Sequence, residues 1–214
     1  MKSTVPPMRG MAALVLMASF ALVCPKSLAA DNLVENGDFE SGLDGWELFI
    51  GPEFRDAGAV ATAETTREAA HESTAAAEVK TDLPIRYGIS TTRKYLIPVE
   101  AGAKYRISGW VKLADGAEAQ PGRAAIYIRL GLMQDQNKPT QDPQGNIHVG
   151  LKGQVVRTPD WNQLIVTKLP FDWTKIESEV EIPDGHSYVA IGLFVDRIKG
   201  AAYWDDIVFE KVSN

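Results

Sequence analysis

Two stretches of strict alternation constrain this chain more than any other feature. In 104–113, Tyr105, Ile107, Gly109, Val111 and Leu113 fall on one side of an extended backbone, and Arg106, Ser108, Trp110 and Lys112 on the other. In 124–132, Ile126, Ile128, Leu130 and Leu132 point one way, Tyr127 and Arg129 the other. A period of two with one apolar set describes strands that bury a single face. The opposite faces each carry an aromatic and a cation, an unusual choice for a surface that meets only water.

From residue 31 onward there is no long, capped helical period. Short runs of alternating or β-branched residues recur instead, bounded by Gly, Pro, Asp and Asn, which predicts an all-β sandwich or barrel. Further strands are expected at 85–97 (two, or one bent), 162–167, 174–182, 187–195 and 202–211. Ala, Glu and Thr dominate 57–79 and allow a helical turn, although 74–80 alternates well enough for a strand. The row Lys175, Glu177, Glu179 and Glu181 reads as a solvated face on a protected edge. The long connection 133–161 is rich in turn residues, with a small hairpin expected at 147–156. No repeat or composition break marks a second domain.

The N-terminus reads as a secretory signal peptide over residues 1–30. Lys2 and Arg9 precede an apolar run from Met11 to Val23, and Ser27, Ala29 and Ala30 supply a small-residue cleavage site. That run is short for a bilayer span, and a retained anchor is the alternative. The one cysteine, Cys24, lies inside this segment, and Val23 before it makes a poor lipoprotein signal. Cleavage after Ala30 leaves residues 31–214 as a cysteine-free domain that depends on its core for stability. The whole chain carries a net charge of −6, and losing Lys2, Arg9 and Lys26 makes the remainder more acidic. Nucleic acid and anionic membrane surfaces are therefore poor partners. A neutral ligand or a cation suits a protein that is secreted, periplasmic or held in the cell envelope.

The two ends carry the most distinctive residues. Asn32-Leu-Val-Glu-Asn-Gly-Asp-Phe-Glu-Ser-Gly-Leu-Asp-Gly-Trp46 reads as a first strand, a glycine turn and an anchoring tryptophan. Tyr203-Trp-Asp-Asp-Ile-Val-Phe-Glu210 reads as a closing strand with adjacent carboxylates. Asn36-Gly-Asp-Phe-Glu40, Gly42 and Trp46 resemble the opening of CenC-like carbohydrate-binding modules of families 4, 9 and 22. Ala101 to Lys112, Trp173-Thr, Glu181-Ile-Pro183 and Tyr203 to Val208 match further landmarks of that family in order. The resemblance spans nearly all of 31–214 and implies a galactose-binding-like jelly roll. The long 133–161 connection and the glycine-free His71-Glu-Ser-Thr74 turn depart from the pattern.

The resemblance also implies a structural calcium where the ends meet. Its ligands would be Asp38, Glu40, Asp205 and Asp206, with carbonyls near Glu72 and Ser73, because calcium takes six to eight oxygens. It further implies a glycan laid along the concave face of one sheet. Trp110 and Tyr127 would stack on sugar rings, and Arg106 and Arg129 would bond hydroxyls. Trp110 buried under the long loop is the alternative. Trp161, with Asn162, Gln163 and His148, forms a second candidate patch. Trp46 and Trp173 read as packed anchors, and the side taken by Trp204 stays open.

Catalysis has little support. The chain lacks a G-x-S-x-G elbow, an H-E-x-x-H pair and a nucleophilic cysteine, and His71, His148 and His186 are too far apart for a metal motif and read as loop histidines. The expected function is non-catalytic binding of a polysaccharide or oligosaccharide. An envelope structural or adhesion protein without a sugar site is the alternative, and a small hydrolase or lyase the third class.

Overall fold

The computed structural model describes residues 31–136, 145–157 and 161–212. The signal-peptide reading of 1–30 lies outside them, as do parts of the long connection. Two antiparallel sheets enclose one core. The first runs in the order β1 (Trp46–Ile50), β4 (Arg86–Thr91), β12 (Tyr188–Asp196), β8 (Ala125–Met133), β9 (Asn146–Gly150) and β10 (Val155–Arg157), with β5 (Ile97–Pro98) added to β12. The second runs β11 (Thr174–Glu181), β6 (Lys104–Leu113), β13 (Ile198–Lys211), β3 (Ala76–Thr81) and β2 (Thr62–Thr66), with β7 (Glu118–Ala119) on β13. The one α-helix among the described residues is a single turn, α1 (Pro52–Arg55).

The alternation that predicted these strands also fills the core. Tyr105, Ile107, Val111 and Leu113 from β6 meet Ile126, Ile128, Leu130 and Leu132 from β8, all buried. Full burial of a branched aliphatic side chain contributes about 1.5–3 kcal/mol, so this inner layer alone fixes which face each strand turns inward. Trp204 falls on the inner side and is fully buried. The charged row on β11 is exposed, and β11 is an edge strand of its sheet, as expected.

Two expected strands are absent. Residues 34–45 form turns, and β1 begins only at Trp46. Asn36 and Phe39 take left-handed backbone angles, φ 52° and 55°, which regular strand pairing does not accommodate. The Asn36 amide instead donates to the carbonyls of Gly42 and Asp44, its oxygen accepts from the Ser41 N–H, and its carbonyl accepts from the Trp46 indole. Phe39, fully buried, packs on Trp46 at 5.4 Å. The ends nevertheless meet as expected. The Leu33 N–H donates to the Phe209 carbonyl at 2.8 Å, and the Ile207 N–H to the Gly37 carbonyl at 2.9 Å. A Cβ at Gly37 would strike the Ile207 carbonyl oxygen, so this approach needs glycine.

The second absent strand is 162–167. Trp161–Leu164 is a 3₁₀ turn, followed by a single bridge from Ile165 to Ala125. Residues three apart eclipse in a 3₁₀ turn, so Trp161 and Leu164 face the sheet together.

Candidate functional site

The first sheet turns inward Ile89, Ile128, Val149 and Leu193, and outward an unusual set of side chains. Strand register aligns Glu47, Ser90, Gly192, Arg129, His148 and Val156 in one row across it. The next row runs through Phe49, Gly88, Phe194, Tyr127 and Gly150. Gly88 and Gly150 flank the Phe194–Tyr127 pair in this row and leave the rings room to lie over their neighbours. Gly192 makes this possible, because a Cβ there would collide with the Phe194 ring.

A satellite hydrophobic cluster forms on this outer face from Ala125, Tyr127, Val156, Leu164 and Phe194, with Phe49 at its margin. Trp161 caps it. Its ring lies 5.6 Å from Tyr127 and 4.8 Å from His148, and the Arg86 guanidinium sits 5.2 Å from its centroid. Trp161 remains 37% exposed while Tyr127 is 1% exposed. Tyr127 is therefore a support, not a contact surface, which corrects its expected stacking role. Burial pushes its hydroxyl pKa up and lowers that of His148 to about 4. His148, expected in a loop, is a neutral, buried strand residue.

Two arginines border the rings. Arg86 pairs with Asp196 at 3.1 Å and Glu53 at 3.7 Å. The Arg129 guanidinium lies over the Phe194 ring, 4.6 Å from its centroid, and 5.5 Å from that of Phe49.

The expected grouping of Trp110, Tyr127, Arg106 and Arg129 on one face does not form. Trp110 and Arg106 lie on β6, Tyr127 and Arg129 on β8, and these strands belong to different sheets. Both pairs do face outward, but from opposite sides of the molecule. On the second sheet, Trp110 is covered by His71, stacked at 4.0 Å, with Trp173 edge-on to His71 at 5.4 Å. Arg106 is held by Glu179 at 3.0 Å and Glu210 at 2.9 Å. Trp173 is half-buried in this group.

The junction of the chain ends gathers the expected carboxylates, but not as one ligand set. A register shift between Asp205 and Val208 leaves Asp206 at φ 49°. Asp205 is fully buried and accepts from the His71 N–H, the Ser73 hydroxyl and the Asp206 N–H. Burial raises its pKa against those bonds. Glu40 is committed to Thr74 through N–H and hydroxyl at 2.5 and 2.6 Å, which lower its pKa. Asp38 and Asp206 border one small cavity beside Gly37. The atoms that converge, within 4.8 Å of one another, belong to His71, Glu72 and Asp206. Sequence reasoning missed His71 because its partners lie over a hundred residues away.

Comparison with known proteins agrees with the architecture. A profile of the carbohydrate binding domain CBM_4_9 matches residues 31–196. A search of curated proteins found no match. Among solved structures, the CBM22-1 xylan-binding domain of Paenibacillus barcinonensis Xyn10C is 18% identical over 87% of this chain and 97% of its own, with a TM-score of 0.52. A CBM4 structure is 17% identical over 84% and 99%, with a TM-score of 0.53. The enzymatically active domain of bacteriophage CBA120 tailspike protein 4 is 12% identical, with a TM-score of 0.54. The match covers 85% of this chain and 21% of that one. With these two sheets and a profile match over most of its length, the chain belongs to the carbohydrate binding domain family CBM_4_9.

Proposed function

We propose that the domain binds a glycan chain across the outer face of the first sheet, without catalysing any reaction on it. The observation that carries this reading is Trp161. A large ring left 37% exposed, braced from below by Tyr127 and His148, is a rigid apolar platform for the C–H face of a sugar. Arg86 at the ring and Arg129 beside His148 add polar groups able to bond hydroxyls, the mixture of one apolar body and few polar fixers that small ligands require. A site of this kind holds its ligand at about 10⁻³ to 10⁻⁵ M. The signal-like segment 1–30 supports export, to the exterior or the cell envelope, where polysaccharides are met.

The similar Paenibacillus module is a xylan-binding domain, which makes xylan a sensible first polysaccharide to try. Affinity gel electrophoresis against a panel of xylan, mixed-linkage glucan and mannan tests the reading. Retention is expected on at least one, and Trp161→Ala should weaken it at least about tenfold, the size of a central aromatic contact, with circular dichroism unchanged. Undiminished retention of that variant, or no retention on any glycan, would sink the proposal.

A structural calcium at the chain-end junction belongs to the same proposal. Asp206 and Glu72, with Asp38 nearby, supply hard oxygen donors suited to it, while the oxygens of Asp205 and Glu40 are already used by protein donors. A bound cation would pin the His71–Thr74 turn to β13. Millimolar calcium should raise the melting temperature by a few degrees over a chelator-treated sample, since binding to the native state alone stabilises it; identical melts would remove calcium.

A further inference from the structure

The two outward arginines of the first sheet differ in one respect that bears on which glycan fits. Arg86 has Asp196 and Glu53 within ion-pair distance, so its charge is met within the protein. Arg129 forms no ion pair with any described residue. Its Nε is shielded from solvent and has no hydrogen-bond partner there. Its guanidinium carbon sits 4.6 Å from the Phe194 ring centroid and 5.5 Å from that of Phe49, and burial lowers its pKa. The next side chain in its row, His148, is neutral. Gly192, on the other side, has no side chain to answer it.

An uncompensated guanidinium held against apolar rings is costly, and a protein that keeps one has a use for its edge. The residue is half-buried, and of its guanidinium nitrogens only Nε is both shielded and unpartnered, so the two Nη groups are the ones that can meet a ligand. The planar guanidinium carries its N–H groups in a fork that matches the two oxygens of a carboxylate. Arg129 is the cross-strand partner of His148, which touches Trp161. Cross-strand neighbours are about 5 Å apart, so a sugar stacked on Trp161 and its neighbour in the chain both come within reach.

We propose that Arg129 reads a carboxylate on the glycan, so that this face takes an acidic, uronate-bearing polysaccharide in preference to its neutral counterpart. This rests on the reading of the face as a glycan site. The net charge of −6 opposes a polyanion only at long range, and screening at physiological salt confines such repulsion to about 8 Å. A direct ion pair survives it.

The test is calorimetric titration of the protein at physiological salt with two probes, glucuronoxylan and the same polymer after carboxyl reduction. The acidic form should bind at least about tenfold more tightly. Arg129→Gln should bring the two within twofold, Arg129→Lys should retain part of the difference, and Arg106→Gln should leave it whole. Equal binding of both polymers by the unaltered protein overturns the carboxylate reading and leaves glycan binding standing. Preference that persists in a folded Arg129→Gln overturns it too. Absence of binding to both polymers, and to the wider glycan panel, overturns the site itself. The unaltered protein alone decides between the polymers if Arg129→Gln does not fold.

Discussion

The two outer faces of the sandwich hold nearly the same kinds of side chain and put them to opposite use. On the second sheet, Trp110 lies under His71, and Arg106 is neutralised by Glu179 and Glu210. On the first, Trp161 lies on top of its partners, and Arg129 has aromatic rings beneath it and no carboxylate beside it among the described residues. Outward orientation is shared; what differs is whether the protein has already satisfied the group. A covered ring and a paired cation are finished interactions. An open ring and an unpaired cation are unfinished ones, and those are where a ligand gains free energy.

The largest test of this contrast concerns pH. The His148 pKa is about 4 in the folded protein against 6.5 when free, chiefly through desolvation. A folded value below the free one means the folded state resists protonation. The stability from neutral His148 is full above pH 6.5 and is lost as pH falls to about 4, by up to roughly 3 kcal/mol. Asp205, whose pKa burial raises, acts in the opposite sense as pH falls. Urea denaturation from pH 7 to 4 should show a downward slope that His148→Phe flattens. An equal slope in both proteins would mean that the platform beneath Trp161 is wet.

A smaller effect separates the two tryptophans. Trp110→Ala removes its stacking on His71 and should cost about 1 kcal/mol of stability, visible as a lowered urea midpoint, while glycan retention stays within twofold. Trp161→Ala, which gives up its packing on Tyr127 and His148, should lose a comparable amount of stability and, unlike Trp110→Ala, weaken retention at least about tenfold. Loss of retention in Trp110→Ala at full stability would exchange the roles of the faces. The smallest effect is expected from Arg106→Gln. Its exposed pairs with Glu179 and Glu210 are of the kind that contribute little, so melting temperature and retention should both match the unaltered protein.

The strands β6 and β8 were legible because alternation is a local property, written in consecutive residues. The 3₁₀ turn at Trp161–Leu164 was not, since a four-residue stretch of mixed polarity has no period to read. Its W-x-x-L spacing becomes meaningful only when an apolar sheet face lies opposite. Asn36 illustrates the middle case: the motif around it pointed to the right family, yet its role is to cap a turn, and no strand forms there.

By itself the sequence determined the all-β class, the inner faces of β6 and β8 and the meeting of the chain ends. Each follows from side-chain periodicity or from motifs at fixed places in the chain. Only the tertiary structure decided that β6 and β8 lie in different sheets, that Tyr127 supports Trp161 from below, and that Arg129 faces outward with no carboxylate beside it among the described residues. Those facts depend on which strands become neighbours across tens of residues, β8 with β12 and β9, and β6 with β11 and β13. Hydrogen-bond pairing between distant strands is set by the packing of the whole core, which no local pattern encodes.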